Sequence, residues 1–239
     1  MIFECDFMKK SVPQRGFEKL IALMLVAVLC VASVVALAGC KKKELTPEKD
    51  ETPVKLSADP SSYNVGDEIE FGKFEQNNEP DSGREPIVWV VAEKDGAKLT
   101  LVSKYCLTSM SYHAVQTEVT WADCSLRKWL NEDFINASFS EPEKKLLMNV
   151  KHGEIFDSAY ILDEESFETY VKEASLGETS LTEFAKGQGD THYLWLRSDE
   201  KSQAAPRGTF KGEPVTGGDP IVNQLLAVRP VVKIDLSEI

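Results

Sequence analysis

The chain has 239 residues and a net charge of −12, from 27 Lys and Arg against 39 Asp and Glu. That balance argues against nucleic acid and anionic lipid surfaces as general partners, and it suits solubility beside a membrane. The length leaves room for one domain of ordinary size, large enough to build a core without metal or disulfide staples.

The N-terminal segment has a basic head, Lys9, Lys10, Arg15 and Lys19, and then an apolar run from Leu20 to Ala38 broken only by Ser33. A charged start, an apolar middle and small residues before a cleavage point make an export signal. Here Leu37-Ala38-Gly39-Cys40 resembles the lipobox of bacterial lipoproteins. The resemblance implies diacylglyceryl attachment to the Cys40 sulfur, cleavage before Cys40, and a chain held to the cell membrane on its extracytoplasmic face. Two or more acyl chains hold a protein firmly where one alone is marginal. The competing reading is an uncleaved anchor helix, since the nineteen residues from Leu20 to Ala38 are enough to span a bilayer. Lys41-Lys42-Lys43 weakens that reading, because on the translocated side it opposes the positive-inside asymmetry. Glu4 and Asp6 are foreign to a signal head, so Met8 is the expected start in place of Met1. Residues 1–39 carry four basic and three acidic side chains, which puts the processed chain near −13.

Residues 40–62 follow as a lipidated cysteine and a flexible tether, charged, proline-bearing and nearly without large apolar side chains. Order is expected from Tyr63, with residues 63–239 as a single domain. Asp67 to Glu75 alternates apolar and polar and predicts a strand. Pro86–Ala92 and Lys98–Ser103 flank Asp95-Gly96 and predict a tight β-hairpin. Thr120 with Asp123 has the form of a capping box, followed by Leu126, Trp129, Leu130 and Phe134 at helical spacing, so a helix is expected over 121–132. Ser140-Glu-Pro-Glu143 is a second start signal, for a helix to about Val150. A short strand near Ala159–Leu162, a helix over about 163–174, and buried strands at Tyr193–Leu196 and Leu225–Val232 complete the pattern. Between the last two strands, residues 198–220 read as a long loop rich in Gly, Pro and Ser, and such loops are usually functional or mobile.

Several of these segments are similar to a family of exported bacterial domains catalogued only as a domain of unknown function. The resemblance rests on Ile87–Val90 (IVWV), Leu101–Tyr105 (LVSKY), the helix around Leu126–Asn131 (LRKWLN), Tyr193–Ser198 (YLWLRS) and Ala227–Pro230 (AVRP). It covers roughly residues 63–237. It implies an α+β fold similar to the C-type-lectin-like and formylglycine-generating-enzyme group: a twisted antiparallel sheet, flanking helices and a long loop excursion. It supplies no activity and no catalytic residue. The cysteine pair that formylglycine-generating relatives carry near their C-terminal region is missing after Trp195.

Few residues carry chemistry. Cys106 and Cys124 form an even pair in an exported domain, which permits a disulfide contributing on the order of 3 kcal/mol; buried cysteine as a small apolar filler is the alternative. His152, Glu154 and Asp157 lie close together without a zinc-ligand spacing, and His113 and His192 are the other histidines. Asp199, Glu200, Glu213 and Asp219 supply oxygens of the kind a hard cation needs, without the spacing of an EF-hand loop. The expectation is no metal and no cofactor. Arg197 and Arg229 sit in apolar strands, where a charge is costly unless paired. They either pin the long loop or, with Arg207 and Trp195, grip a ligand beside it. The expected role is non-enzymatic binding of a carbohydrate, peptide or surface protein through the 198–220 loop, with no nucleic-acid partner. The alternatives are an enzyme acting on envelope material and a structural module of an envelope assembly.

Overall fold

The computed structural model describes residues 54–173, 176, 178–222 and 224–239. Cys40, the leader and residues 41–53 of the tether lie outside the described residues. From Val54 the chain already touches the domain, with Val54 and Leu56 packed against the core. A 3-10 turn at Pro60–Ser62 follows, its start capped by the Asp59 carboxylate, which accepts from Ser61 N at 2.9 Å.

In chain order come β1 (Glu68–Phe74), β2 (Glu85–Asp95), β3 (Lys98–Ser103) and β4 (Thr108–Met110). The expected hairpin is β2–β3. Asp95 pairs with Lys98, so Gly96 and Ala97 form the turn, and Gly96 takes the φ of +58° that a side chain would resist. After β4 the chain makes a 3-10 turn, Trp121–Asp123, and then a continuous helical stretch: α1 (Ser125–Trp129), a π-helical turn (Leu130–Phe134) and α2 (Ile135–Ser138).

The helix starts later than Thr120 suggested. Thr120 makes no side-chain cap, and Cys124 does the capping, its Sγ accepting from Arg127 N at 3.3 Å. The second start signal forms as expected. Ser140 and Glu143 make a reciprocal capping box at α3 (Glu141–Leu146). That helix stops short of Val150 because Leu147 leaves it to bridge Ile234, and Val150 begins a strand.

A small hairpin, β5 (Val150–His152) and β6 (Ile155–Asp157), is followed by β7 (Ala159–Tyr160), α4 (Glu164–Glu173) and α5 (Glu183–Gln188). The last third holds β8 (Tyr193–Trp195), β9 (Ala204–Thr209), β10 (Pro214–Pro220), β11 (Leu226–Val228) and β12 (Val231–Asp235). The 198–220 segment is therefore not an irregular excursion. Most of it is a β9–β10 hairpin, joined to the rest by pairing with β8.

Two five-stranded sheets result, in the orders β1-β2-β3-β12-β7 and β10-β9-β8-β11-β4. Every pairing is antiparallel except β8 with β11. The chain passes from one sheet to the other at Arg229-Pro230, between β11 and β12. The middle of β2, Trp89 to Ala92, is buried on both faces, which is why it reads as a continuous hydrophobic run. The helical stretch packs on the first sheet through aromatic contacts of Phe74 with Trp129 and Phe134, and of Phe139 with Phe71 and Trp89, while α3 is tied to β1 by Glu143, which accepts from Gly72 N at 3.0 Å. The architecture is mixed α+β with mostly antiparallel sheets, few helices and no barrel. Among the described residues no helix is long and apolar enough to cross a membrane.

Candidate functional site

The four residues singled out for ligand contact do not share a surface. Trp195 is fully buried in β8, and its Nε1 donates to the Met110 carbonyl at 2.8 Å. Arg229 is 4% exposed, and among the described residues no carboxylate pairs with it. Its Nε donates to Ser103 O at 2.7 Å and its Nη2 to Leu176 O at 3.4 Å. Burial pushes that guanidinium below its ordinary value, and it stays a structural pin across the sheet junction. Arg197 ion-pairs with Asp163, and Asp199 lies 3.8 Å from its Nη1. Because Asp163 Oδ1 also accepts from Ser166 N at 2.8 Å, Arg197 ties the end of β8 to the start of α4.

Arg207 is the exception. It lies opposite Trp195 in the β8–β9 ladder, ion-pairs with Asp219 of β10, and holds its guanidinium 4.8 Å from the centre of the Tyr193 ring. Tyr193 is 38% exposed, the one large aromatic that β8 offers to solvent. A guanidinium over an aromatic face contributes about 0.5–1 kcal/mol at such a site. The ion pair restrains the arginine and the arginine restrains the ring, so the aromatic is held in place.

The β9–β10 hairpin is built to allow this. The register shifts between Val215 and Asp219, where Gly217 and Gly218 fall, and the shift aims Asp219 at Arg207. On the other side Gly208 lets β9 lie on α4, since a Cβ there would stand 2.6 Å from the Phe167 ring. The alternation in Tyr193-Leu-Trp-Leu puts Tyr193 and Trp195 on one face, so spacing alone could not separate the buried ring from the open one. The signal was position: Tyr193 starts the strand, where a two-sided run meets solvent.

Cys106 and Cys124, the pair that could close a disulfide, are both free and buried. Burial raises the Cys106 thiol to about 11 and the Cys124 thiol to about 12, so both are protonated at neutral pH. Asp199, Glu200, Glu213 and Asp219 do not converge. Among the described residues no group of three His, Cys, Asp or Glu side chains is placed to hold a metal ion.

A second polar centre surrounds Asp157, at the base of the β5–β6 hairpin. Asp157 is wholly buried and accepts from Trp121 Nε1 at 2.9 Å, Arg127 Nε at 2.6 Å, His152 Nδ1 at 2.9 Å and Asn131 Nδ2 at 3.3 Å. Asn131 lies in the π-helical turn, where its amide also bonds Arg127 O and Ala159 O and accepts from Ser158 N. His152 and Asp157 are near neighbours in the chain, whereas Trp121, Arg127 and Asn131 are brought to them by the fold.

In comparison with known proteins, the model of a domain of unknown function (DUF6273) matches residues 96–169. That segment contains every residue of the Asp157 centre and ends before Tyr193. No curated protein and no solved structure matches the chain.

Proposed function

We propose that the chain is a lipid-anchored recognition module of the bacterial cell surface, acylated at Cys40 and binding its ligand without turnover. The membrane partner is the bilayer reached through that lipid; the ligand is a carbohydrate, a peptide or a surface protein. The leader pattern supports the address. The mixed architecture, with mostly antiparallel sheets and helices along their flank, agrees with kinship to the C-type-lectin-like group. One observation carries the binding reading: Tyr193 is exposed and held by Arg207, which is itself held by Asp219. Preorganised aromatics with adjacent charged groups suit stacking on a sugar or peptide, because little ordering cost remains at binding.

A glycan and peptide array tests this. Wild type is expected to bind a defined subset of features, and Tyr193→Ala and Arg207→Ala are expected to lose them. Binding that survives both changes would move the site elsewhere. An array with no binding at all would favour the structural-module reading.

A further inference from the structure

Among the described residues, the Asp157 centre leaves one nitrogen of its histidine without a partner. The carboxylate receives two donors on each oxygen. Burial would raise its pKa, but hydrogen bonds from His152 and Trp121 and the charge of Arg127 outweigh that and hold it below the ordinary value. Asp157 is thus an anion at neutral pH and can only accept. The hydrogen between Asp157 and His152 must therefore sit on Nδ1, which in the neutral ring leaves the lone pair on Nε2.

Nε2 makes no hydrogen bond to the described residues. It is also absent from the fully buried unpartnered side-chain atoms, which are Ser109 Oγ, Ser138 Oγ, Arg197 Nε and Arg207 Nε. The His152 side chain is 7% exposed, so this nitrogen meets solvent through a narrow opening. The ring is packed edge to face on Tyr160 at 4.6 Å, which fixes its orientation. The ionic groups around it are Asp157 on β6, Arg127 on α1, and the Asp163–Arg197 pair between β7 and β8.

A buried carboxylate that fixes the tautomer, a ring clamped by an aromatic, and one open nitrogen are the parts of a general base. Glycoside cleavage fits poorly, because it needs two available carboxylates. Asp157 is saturated, and Asp163 is committed to Arg197 and Ser166. An imidazole acting through water suits acyl transfer.

We propose that His152 is a catalytic base, positioned by Asp157, for the hydrolysis of a carboxylic ester. Nε2 takes a proton from water as the water oxygen adds to the ester carbonyl carbon. The tetrahedral adduct then expels the alcohol oxygen, which receives that proton from His152. One water is consumed, and a carboxylic acid and an alcohol are formed. The inference stands apart from ligand binding at Tyr193 and does not depend on it.

The test is hydrolysis of p-nitrophenyl acetate and p-nitrophenyl butyrate by the full detergent-solubilised chain. The expected rate falls roughly 10²-fold in His152→Gln, whose amide can still donate to Asp157. His192→Gln is expected to match wild type, and circular dichroism confirms that both variants are folded. Asp157→Glu, which keeps the charge and displaces the ring, is expected to lower kcat and leave KM nearly unchanged. As an independent readout, diethyl pyrocarbonate should modify His152 in the native wild type and abolish hydrolysis. Equal rates in wild type and His152→Gln, or a native His152 that resists modification, would overturn the proposal.

Discussion

Four side chains share Asp157 as an acceptor. Removing its charge leaves Arg127 half-buried without a counter-ion and Trp121 with a weaker acceptor, so Asp157→Asn is expected to cost about 3 kcal/mol in urea unfolding. Its titration sets a pH dependence. The folded carboxyl titrates below its ordinary 3.8, so the stabilisation is complete above the unfolded value and drains away as pH falls through the folded one. Stability of the wild type should therefore fall below about pH 4 more steeply than that of Asp157→Asn. Arg229 is a different case. Among the described residues its charge is met by carbonyls alone, and Arg229→Ala is expected to cost about 3 kcal/mol by leaving Ser103 and Leu176 oxygens buried and unpaired. At this scale the sequence was partly legible. An arginine in an apolar strand announces that it is paired, and Arg197 and Arg229 are. It does not announce the partner, because Asp163 is 34 positions from Arg197 and Ser103 is 126 from Arg229.

Local signals set some elements and tertiary contacts set others. The β2–β3 hairpin and the α3 capping box were readable, since each is closed by residues within a few positions of one another. The start of α1 was not, because a thiol caps it where a hydroxyl was expected. The 198–220 segment looked like a loop for a physical reason. Its strands are rich in Gly and Pro and poor in β-branched residues, so local propensity opposes the pairing that β8 enforces from one side. Gly208 is essential to that pairing. Gly208→Ala is expected to push β9 off α4, lowering stability by about 1–3 kcal/mol and weakening ligand capture at Tyr193, as read by thermal unfolding and by array signal. The β5–β6 hairpin escaped detection because it is short and its inward residues, His152 and Asp157, are polar.

For the whole molecule, the two sheets meet in a continuous core, and the aromatic chain Trp121–Tyr112–Trp195 links the Asp157 centre to the β8–β9 ladder that carries Arg207. Mixed α+β architecture could be read from the change in hydrophobic period along the chain; the sheet orders could not, since they depend on pairings between distant strands. The address is tested by metabolic labelling with a palmitate analogue. Wild type should be labelled and sediment with membranes, and Cys40→Ala should be neither. The recognition surface is tested most directly by co-sedimentation of the acyl-free chain with a purified envelope fraction of the producing cell. The account predicts that wild type is carried down and that Tyr193→Ala and Arg207→Ala stay in solution while remaining folded. Equal sedimentation of all three would contradict it.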